Sequence, residues 1–130
     1  MFRRFALSLL RLLFRLFTHL QVEGQEKIPQ GGPLLVAFNH LAHLDAALVL
    51  AFLPCPAEAI ALSGLYRVPI TSQLIRLYGA IPVRRDQFDR QVIRRALQVL
   101  AEGRVLALAP EARMSLTGAL EQARRGVAYL

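Results

Sequence analysis

The stretch Leu34-Leu35-Val36-Ala37-Phe38-Asn39-His40-Leu41-Ala42-His43-Leu44-Asp45 decides how the chain is read. Its first five residues are a short, apolar, β-prone run behind the breakers Gly31, Gly32 and Pro33, which predicts a buried strand. The run Ala46 to Leu53, stopped by Pro54, predicts a short helix. His40 then falls in a strand-to-helix turn at the carboxyl end of a strand, where open α/β sheets place their ligands. Asp45 lies near the first turn of the helix, where the dipole favours a carboxylate that can also bend back to an imidazole. A His held by an Asp is the working pair of base catalysis, because the carboxylate sets the tautomer and stabilises the imidazolium.

The chain has 130 residues, enough for one small domain. It is 55% hydrophobic with mean hydropathy +0.39 and carries a net charge of +7. Lys27 is the single lysine among 16 basic residues, and Arg prefers planar anions such as phosphate and carboxylate. A small, basic, greasy chain points to phospholipid surfaces or phosphorylated ligands. It does not point to nucleic acid, since the Arg residues are not interleaved with aromatics. Cys55 stands alone, which excludes a disulfide framework and a cysteine metal cluster within the chain.

Residues 2–20 hold Phe2, Phe5, Leu9, Leu10, Leu12, Leu13, Leu16, Phe17 and Leu20, while Arg4, Ser8, Arg11, Arg15 and His19 share one narrow helical face. Arg11 and Arg15 interrupt the apolar core that a signal peptide needs. In a spanning helix they would cost roughly 2.5–3.5 kcal/mol each near the bilayer centre. A helix lying in the membrane interface keeps both among lipid headgroups and is the preferred reading, with a helix packed on its own domain as the alternative. The chain divides accordingly into an amphipathic membrane-associating segment, residues 1–20, and an α/β body, residues 21–130.

Further along, Gln21 to Pro29 predicts a short edge strand and a loop, and Glu58 to Leu62 a second strand. Leu65 to Tyr78 reads as a loop entering a helix, with Pro69 near its start and Gly79 closing it. Ala80 to Val83 is a strand that Pro82 confines to an edge or a strand end. Gln87 to Glu102 and Leu120 to Leu130 predict helices, and Val105 to Ala109 a strand. Strands alternating with helices predict an α/β fold with a largely parallel sheet flanked by helices. The final helical pattern has no return strand behind it, so the C-terminal part of the domain is expected to be missing. Three strand ends then carry polar groups: His40 and Asp45, Arg84 and Arg85, and Glu111 and Arg113. Converging at one sheet edge, they would suit a substrate with a hydroxyl to activate and a phosphate to hold.

These residues resemble the glycerolipid acyltransferases typified by 1-acylglycerol-3-phosphate acyltransferase. The family's Asn-His, four residues, Asp is matched by Asn39, His40 and Asp45. Its Gly, apolar strand and Arg are matched by Gly79 to Arg85, with Arg85 in the place of the family's Arg. Its Phe-Pro-Glu-Gly followed by Thr-Arg-Ser is met by Ala109-Pro110-Glu111-Ala112-Arg113-Met114-Ser115. Pro110, Glu111 and Ser115 agree; Ala109 stands for Phe and Ala112 for Gly. A fourth motif, a Pro-containing apolar strand, would lie beyond Leu130.

The resemblance implies acyl transfer from acyl-CoA or acyl-carrier protein to the free hydroxyl of lysophosphatidic acid or a related lysophospholipid, at the cytoplasmic face of the cell membrane. His40 would be the base and Asp45 its orienter, with no covalent enzyme intermediate, metal or cofactor. Arg85 and Arg113 would hold the acceptor phosphate, Ala112 would border it, and Glu111 would order the Arg groups or the loop. Backbone N–H groups in the turn after His40 would stabilise the oxyanion. Two other readings stand beside this one: a non-catalytic, truncated lipid-binding relative, and a metal-dependent hydrolase with His40, His43 and Asp45 as ligands.

Overall fold

The computed structural model describes residues 2–84 and 89–130. Four strands, β1 (Leu34–Ala37), β2 (Ala57–Leu62), β3 (Ile81–Val83) and β4 (Val105–Leu108), form a parallel sheet in the order β1-β4-β2-β3. Four α-helices accompany it among the described residues: α1 (Phe2–Phe17), α2 (Asp45–Phe52), α3 (Pro69–Tyr78) and α4 (Arg90–Ala101). The α/β class and the parallel sheet agree with the sequence reading.

Strand β4 is apolar at four consecutive positions because the sheet is covered on both faces. Successive side chains point opposite ways, so Leu106 and Leu108 pack with Ile81, Ala96 and Val99. Val105 and Ala107 pack instead with Leu53 and Ala57. The shorter β3 carries Pro82 and lies at the sheet edge, where the missing N–H costs no ladder bond. Pro69 stands at the start of α3, and Gly79 closes that helix at φ 82°, a conformation that favours glycine.

Helix α1 is a surface helix that is apolar over more of its circumference than its contact with the body covers. The side that meets the body is mixed, with Leu7 buried and Arg3, Ala6, Leu10, Arg11 and Phe14 half-buried, and a broad apolar side faces out. The Arg3 guanidinium donates to Glu58 Oε1 at 3.2 Å, to the Ala57 carbonyl and to the Tyr78 hydroxyl at 3.0 Å. Arg11 donates to the Ala51 and Leu53 carbonyls, so a cation closes the negative end of α2. The Arg15 guanidinium sits 5.9 Å from the Phe52 ring centre, and Leu7 is buried. Phe2, Phe5, Leu9, Leu12, Leu13, Leu16 and Phe17 are all exposed, Phe17 by 80%. The helix thus packs on its own domain and presents an apolar face outward at once. No helix among the described residues is long and apolar enough to cross a membrane.

Three local expectations change. Gln21 to Pro29 forms no strand; Gly24 in the left-handed region leads into a single 3-10 turn, Gln25–Lys27. Helix α4 starts later than Gln87: Asp89 caps it by accepting from the Gln91 and Val92 N–H groups, at 2.9 and 3.4 Å. Gln87 itself lies outside the described residues. Leu120 to Leu130 makes only the 3-10 turn Arg125–Tyr129, because the segment's N–H groups serve the loop after β4. Glu121 N–H goes to Glu111 Oε1 at 3.0 Å and Arg124 N–H to the Pro110 carbonyl at 2.8 Å.

Leu106 is fully buried, so Leu106→Ala is expected to cost about 2–5 kcal/mol in denaturant unfolding. Leu116→Ala, at a side chain 92% exposed, is expected to stay within about 0.5 kcal/mol.

Candidate active site

The turn from β1 to α2 is built around one carboxylate. Asp45 is the first residue of α2, and its Oδ2 accepts from the Leu41 and Ala42 N–H groups at 2.5 and 2.6 Å. The same oxygen faces His40 Nδ1 at 3.3 Å. Burial works against charge on Asp45, but the Ala42 and Leu41 N–H groups and His40 outweigh it and hold the carboxyl below its ordinary pKa. An ionised carboxylate only accepts, so the neutral imidazole facing it carries its proton on Nδ1. Nε2 is left with the lone pair that a base needs. Both side chains are about one quarter exposed, which leaves the pair open to a substrate.

This geometry corrects one expectation. The Leu41 and Ala42 N–H groups are occupied by Asp45, so they are not free to stabilise an oxyanion. They hold the orienter instead. His43 is exposed, and no group of three or more His, Cys, Asp and Glu side chains among the described residues is placed to hold one ion.

The neighbouring strand β4 supplies the second wall. Beyond the Ala37–Leu108 register, the ladder continues with Phe38 N–H to the Leu108 carbonyl at 3.2 Å. The chain then turns at Ala109 to Ala112, closed by Ala112 N–H to the Ala109 carbonyl at 3.1 Å. It returns so that Ser115 N–H donates to the His40 carbonyl at 2.7 Å. The histidine turn and the Pro110–Ser115 loop are therefore joined by a backbone bond. Glu111 is 3% exposed, and its Oε1 orders the loop through Glu121 N–H. Its Oε2 is buried with no hydrogen-bond partner among the described residues. Arg113 is exposed and forms an ion pair with Glu121. Asn39 is exposed beside His40.

Ala112 has φ 54°, the only non-glycine residue with positive φ among those described. An Ala in this region meets its own Cβ, which is the physical reason a Gly suits the position.

The third strand end lies further across the sheet. β3 is separated from β1 by β4 and β2, three strand spacings of about 4.8 Å each. Arg84 lies exposed at that far edge, whereas Arg85 lies outside the described residues. Among the described residues, the structure brings the strand ends that carry His40 and Glu111 together. Sequence reasoning missed Glu121, which serves both Glu111 and Arg113. Its only signal was a carboxylate eight residues past an Arg in a loop.

A parallel sheet with a His–Asp pair after its first strand and a Pro-Glu loop after its fourth is the arrangement of a transferase family. The Acyltransferase family model matches residues 19–130, and the chain belongs to that family. It is 28% identical over 92 residues to the 1-acyl-sn-glycerol-3-phosphate acyltransferase of Borreliella burgdorferi, covering 69% of this chain and 37% of that protein. It is 26% identical over 113 residues to a chloroplastic 1-acyl-sn-glycerol-3-phosphate acyltransferase of Arabidopsis thaliana, covering 85% and 32%. The chain therefore spans about a third of the length of these curated relatives. The crystal structure of the 1-acyl-sn-glycerophosphate acyltransferase PlsC from Thermotoga maritima shares the fold, with a TM-score of 0.73 at 23% identity. The likeness covers 98% of this chain and 51% of that one.

Two outcomes follow from the site. Ala112→Gly is expected to raise the unfolding free energy, by up to about 1 kcal/mol after the entropy that Gly adds to the unfolded chain. Asp45 has a lowered folded pKa, so its contribution is present above the ordinary aspartate range and lost as pH falls through the folded value. Asp45→Asn is expected to remove that part of the acid dependence, and to cost about 1.5–3 kcal/mol near neutral pH, where charged hydrogen bonds are lost.

Proposed function

We propose that this chain transfers a fatty acyl group from acyl-CoA or acyl-carrier protein to the free hydroxyl of lysophosphatidic acid or a related lysophospholipid. The observation that carries this reading is the His40–Asp45 pair, with Asp45 anchored by two backbone N–H groups. His40 Nε2 takes the acceptor's hydroxyl proton as its oxygen attacks the thioester carbonyl. Collapse of the tetrahedral intermediate breaks the C–S bond, and the departing thiolate takes that proton back from the imidazolium. Asp45 stabilises the imidazolium throughout. The curated relatives are named for a glycerol phosphate acceptor, and the basic residues supply the matching chemistry. Arg113, released from Glu121, and Arg85 bind the phosphate, with Ala112 and Pro110 shaping the loop beside it. Glu111 holds that loop in place and does not touch an anion. Asn39 and Ser115 support the turn, Ser115 through its bond to the His40 carbonyl.

Both substrates carry acyl chains, so the site works at a bilayer surface. Residues 1–20 form the membrane-associating segment and residues 21–130 the catalytic body; the family match begins at residue 19, past α1, which supports that division. The exposed Phe/Leu face of α1 enters the acyl boundary, and Arg4 and Ser8 on its flank lie at headgroup level. Peripheral attachment at the cytoplasmic face places the site where soluble thioester donors arrive.

The test is thioester release on vesicles containing lysophosphatidic acid, followed for the 130-residue chain and for a longer one extended past Leu130. His40→Ala is expected to lower turnover by a factor of about 10²–10⁴ with vesicle binding intact, and turnover is expected to persist in chelator. Turnover equal to wild type in His40→Ala would refute the base. Vesicle binding with no turnover in either length would favour a non-catalytic lipid-binding relative, the reading that the Ala112 departure supports.

A further inference from the structure

Helix α3, like α1, turns a row of large apolar side chains outward. Ile70, Leu74 and Leu77 stand at i, i+4 and i+7 and so share one helical face, and they are 76, 59 and 52% exposed. Leu65 and Val68, just before the helix, are exposed as well. Thr71, Ser72, Ile75 and Tyr78 are the half-buried residues of the helix. A helix that only packs on a soluble body places its leucines inward and its threonine and serine outward. Scattered exposed apolar residues are ordinary, but a whole stripe marks a surface with an occupant.

Two observations identify that occupant as lipid. First, α3 adjoins α1. The Arg3 guanidinium of α1 lies 4.3 Å over the Tyr78 ring at the end of α3 and donates to its hydroxyl at 3.0 Å. The two helices that turn apolar residues outward are therefore in contact at this point. Second, the stripe is flanked by exposed Arg67 and Arg76, with no acidic residue from Ser63 to Tyr78. That charge matches anionic headgroups.

We propose that α3 is a second lipid-contacting element, whose Ile70, Leu74 and Leu77 enter the acyl boundary of an anionic phospholipid bilayer while Arg67 and Arg76 meet headgroup phosphates. This rests on the membrane reading of α1 and extends it. One helix in an interface leaves the body free to roll about the helix axis. A second contact removes that freedom and sets which edge of the sheet meets the lipid. The strand ends bearing His40 and Ser115 then keep one attitude to the membrane from which the acceptor enters.

The experiment uses an environment-sensitive nitrobenzoxadiazole label, attached through Leu74→Cys in a Cys55→Ser background. Matched labels are placed by Leu12→Cys on α1 and by Arg94→Cys on the exposed side of α4. Vesicles contain phosphatidylglycerol and phosphatidylcholine, with and without spin-labelled acyl chains. Labels at 74 and 12 are expected to shift to the blue and be quenched by the spin labels, and the label at 94 to do neither. In addition, Ile70→Gln/Leu74→Gln/Leu77→Gln is expected to weaken vesicle binding about tenfold or more, because binding scales with buried apolar area. No response at 74 with a response at 12 overturns the proposal and leaves α1 untouched. Silence at both positions overturns the proposal together with the membrane reading of α1. A shift at 74 that needs no vesicles and grows with protein concentration overturns it in favour of a second copy of the chain.

Discussion

The site depends on one oxygen, Asp45 Oδ2, receiving three donors at once. Two are the backbone N–H groups of Leu41 and Ala42, and the third is His40 Nδ1. Without the carboxylate these two N–H groups lose their partner as the chain leaves β1 for α2, and the imidazole loses its orienter. The first carboxylate of α2 thus ends the turn, begins the helix and orients the base. The Ser115 bond to the His40 carbonyl then ties the adjacent loop to the same turn. The geometry of the His40–Asp45 pair and the local folding are the same set of bonds here, so neither can be altered alone.

Helix α2 also links this turn to α1. Its eight residues span about 12 Å, with Asp45 at one end and Arg11 of α1 on the carbonyls at the other. Arg3 fastens α1 at a second point through Glu58, Tyr78 and the Ala57 carbonyl. Glu58 is shared with Arg104 at 2.7 Å, so the latch draws on the sheet as well as on the helices. Arg3 and Arg11 share the inward packing of α1 with Leu7, Leu10 and Phe14, and most of its other apolar residues stay exposed. A soluble amphipathic helix does not leave so broad an apolar side uncovered, which is the feature that the proposed membrane contact uses.

Much of this was legible in the residues. Strands β1 and β4 announced themselves as continuous apolar runs because both faces of a parallel sheet are covered. Pro82 placed β3 at an edge and Gly79 closed α3, since each rests on backbone chemistry that only that residue supplies. The His40–Asp45 pair followed from its turn and spacing. What stayed hidden depended on long-range choices. Amphipathic spacing does not say which side of α1 packs, and the packed side proves mixed, with Leu7 buried and Arg11 on carbonyls at the end of α2. The segment from Leu120 looked helical because its apolar spacing is helical, but Glu111 and Pro110 captured its N–H groups from a distance. Strand order also lies beyond local pattern, and it puts Arg84 at the far edge of the sheet from His40.

The central claim is that His40 is held as a base, with its Nδ1 proton facing Asp45 and its Nε2 lone pair open. The direct measurement is ¹⁵N NMR of the His40 imidazole near neutral pH, in the wild type and in Asp45→Asn. The account predicts a neutral ring protonated at Nδ1 in the wild type, with that preference lost in Asp45→Asn. A neutral ring protonated at Nε2, or a tautomer balance that ignores Asp45→Asn, would contradict it.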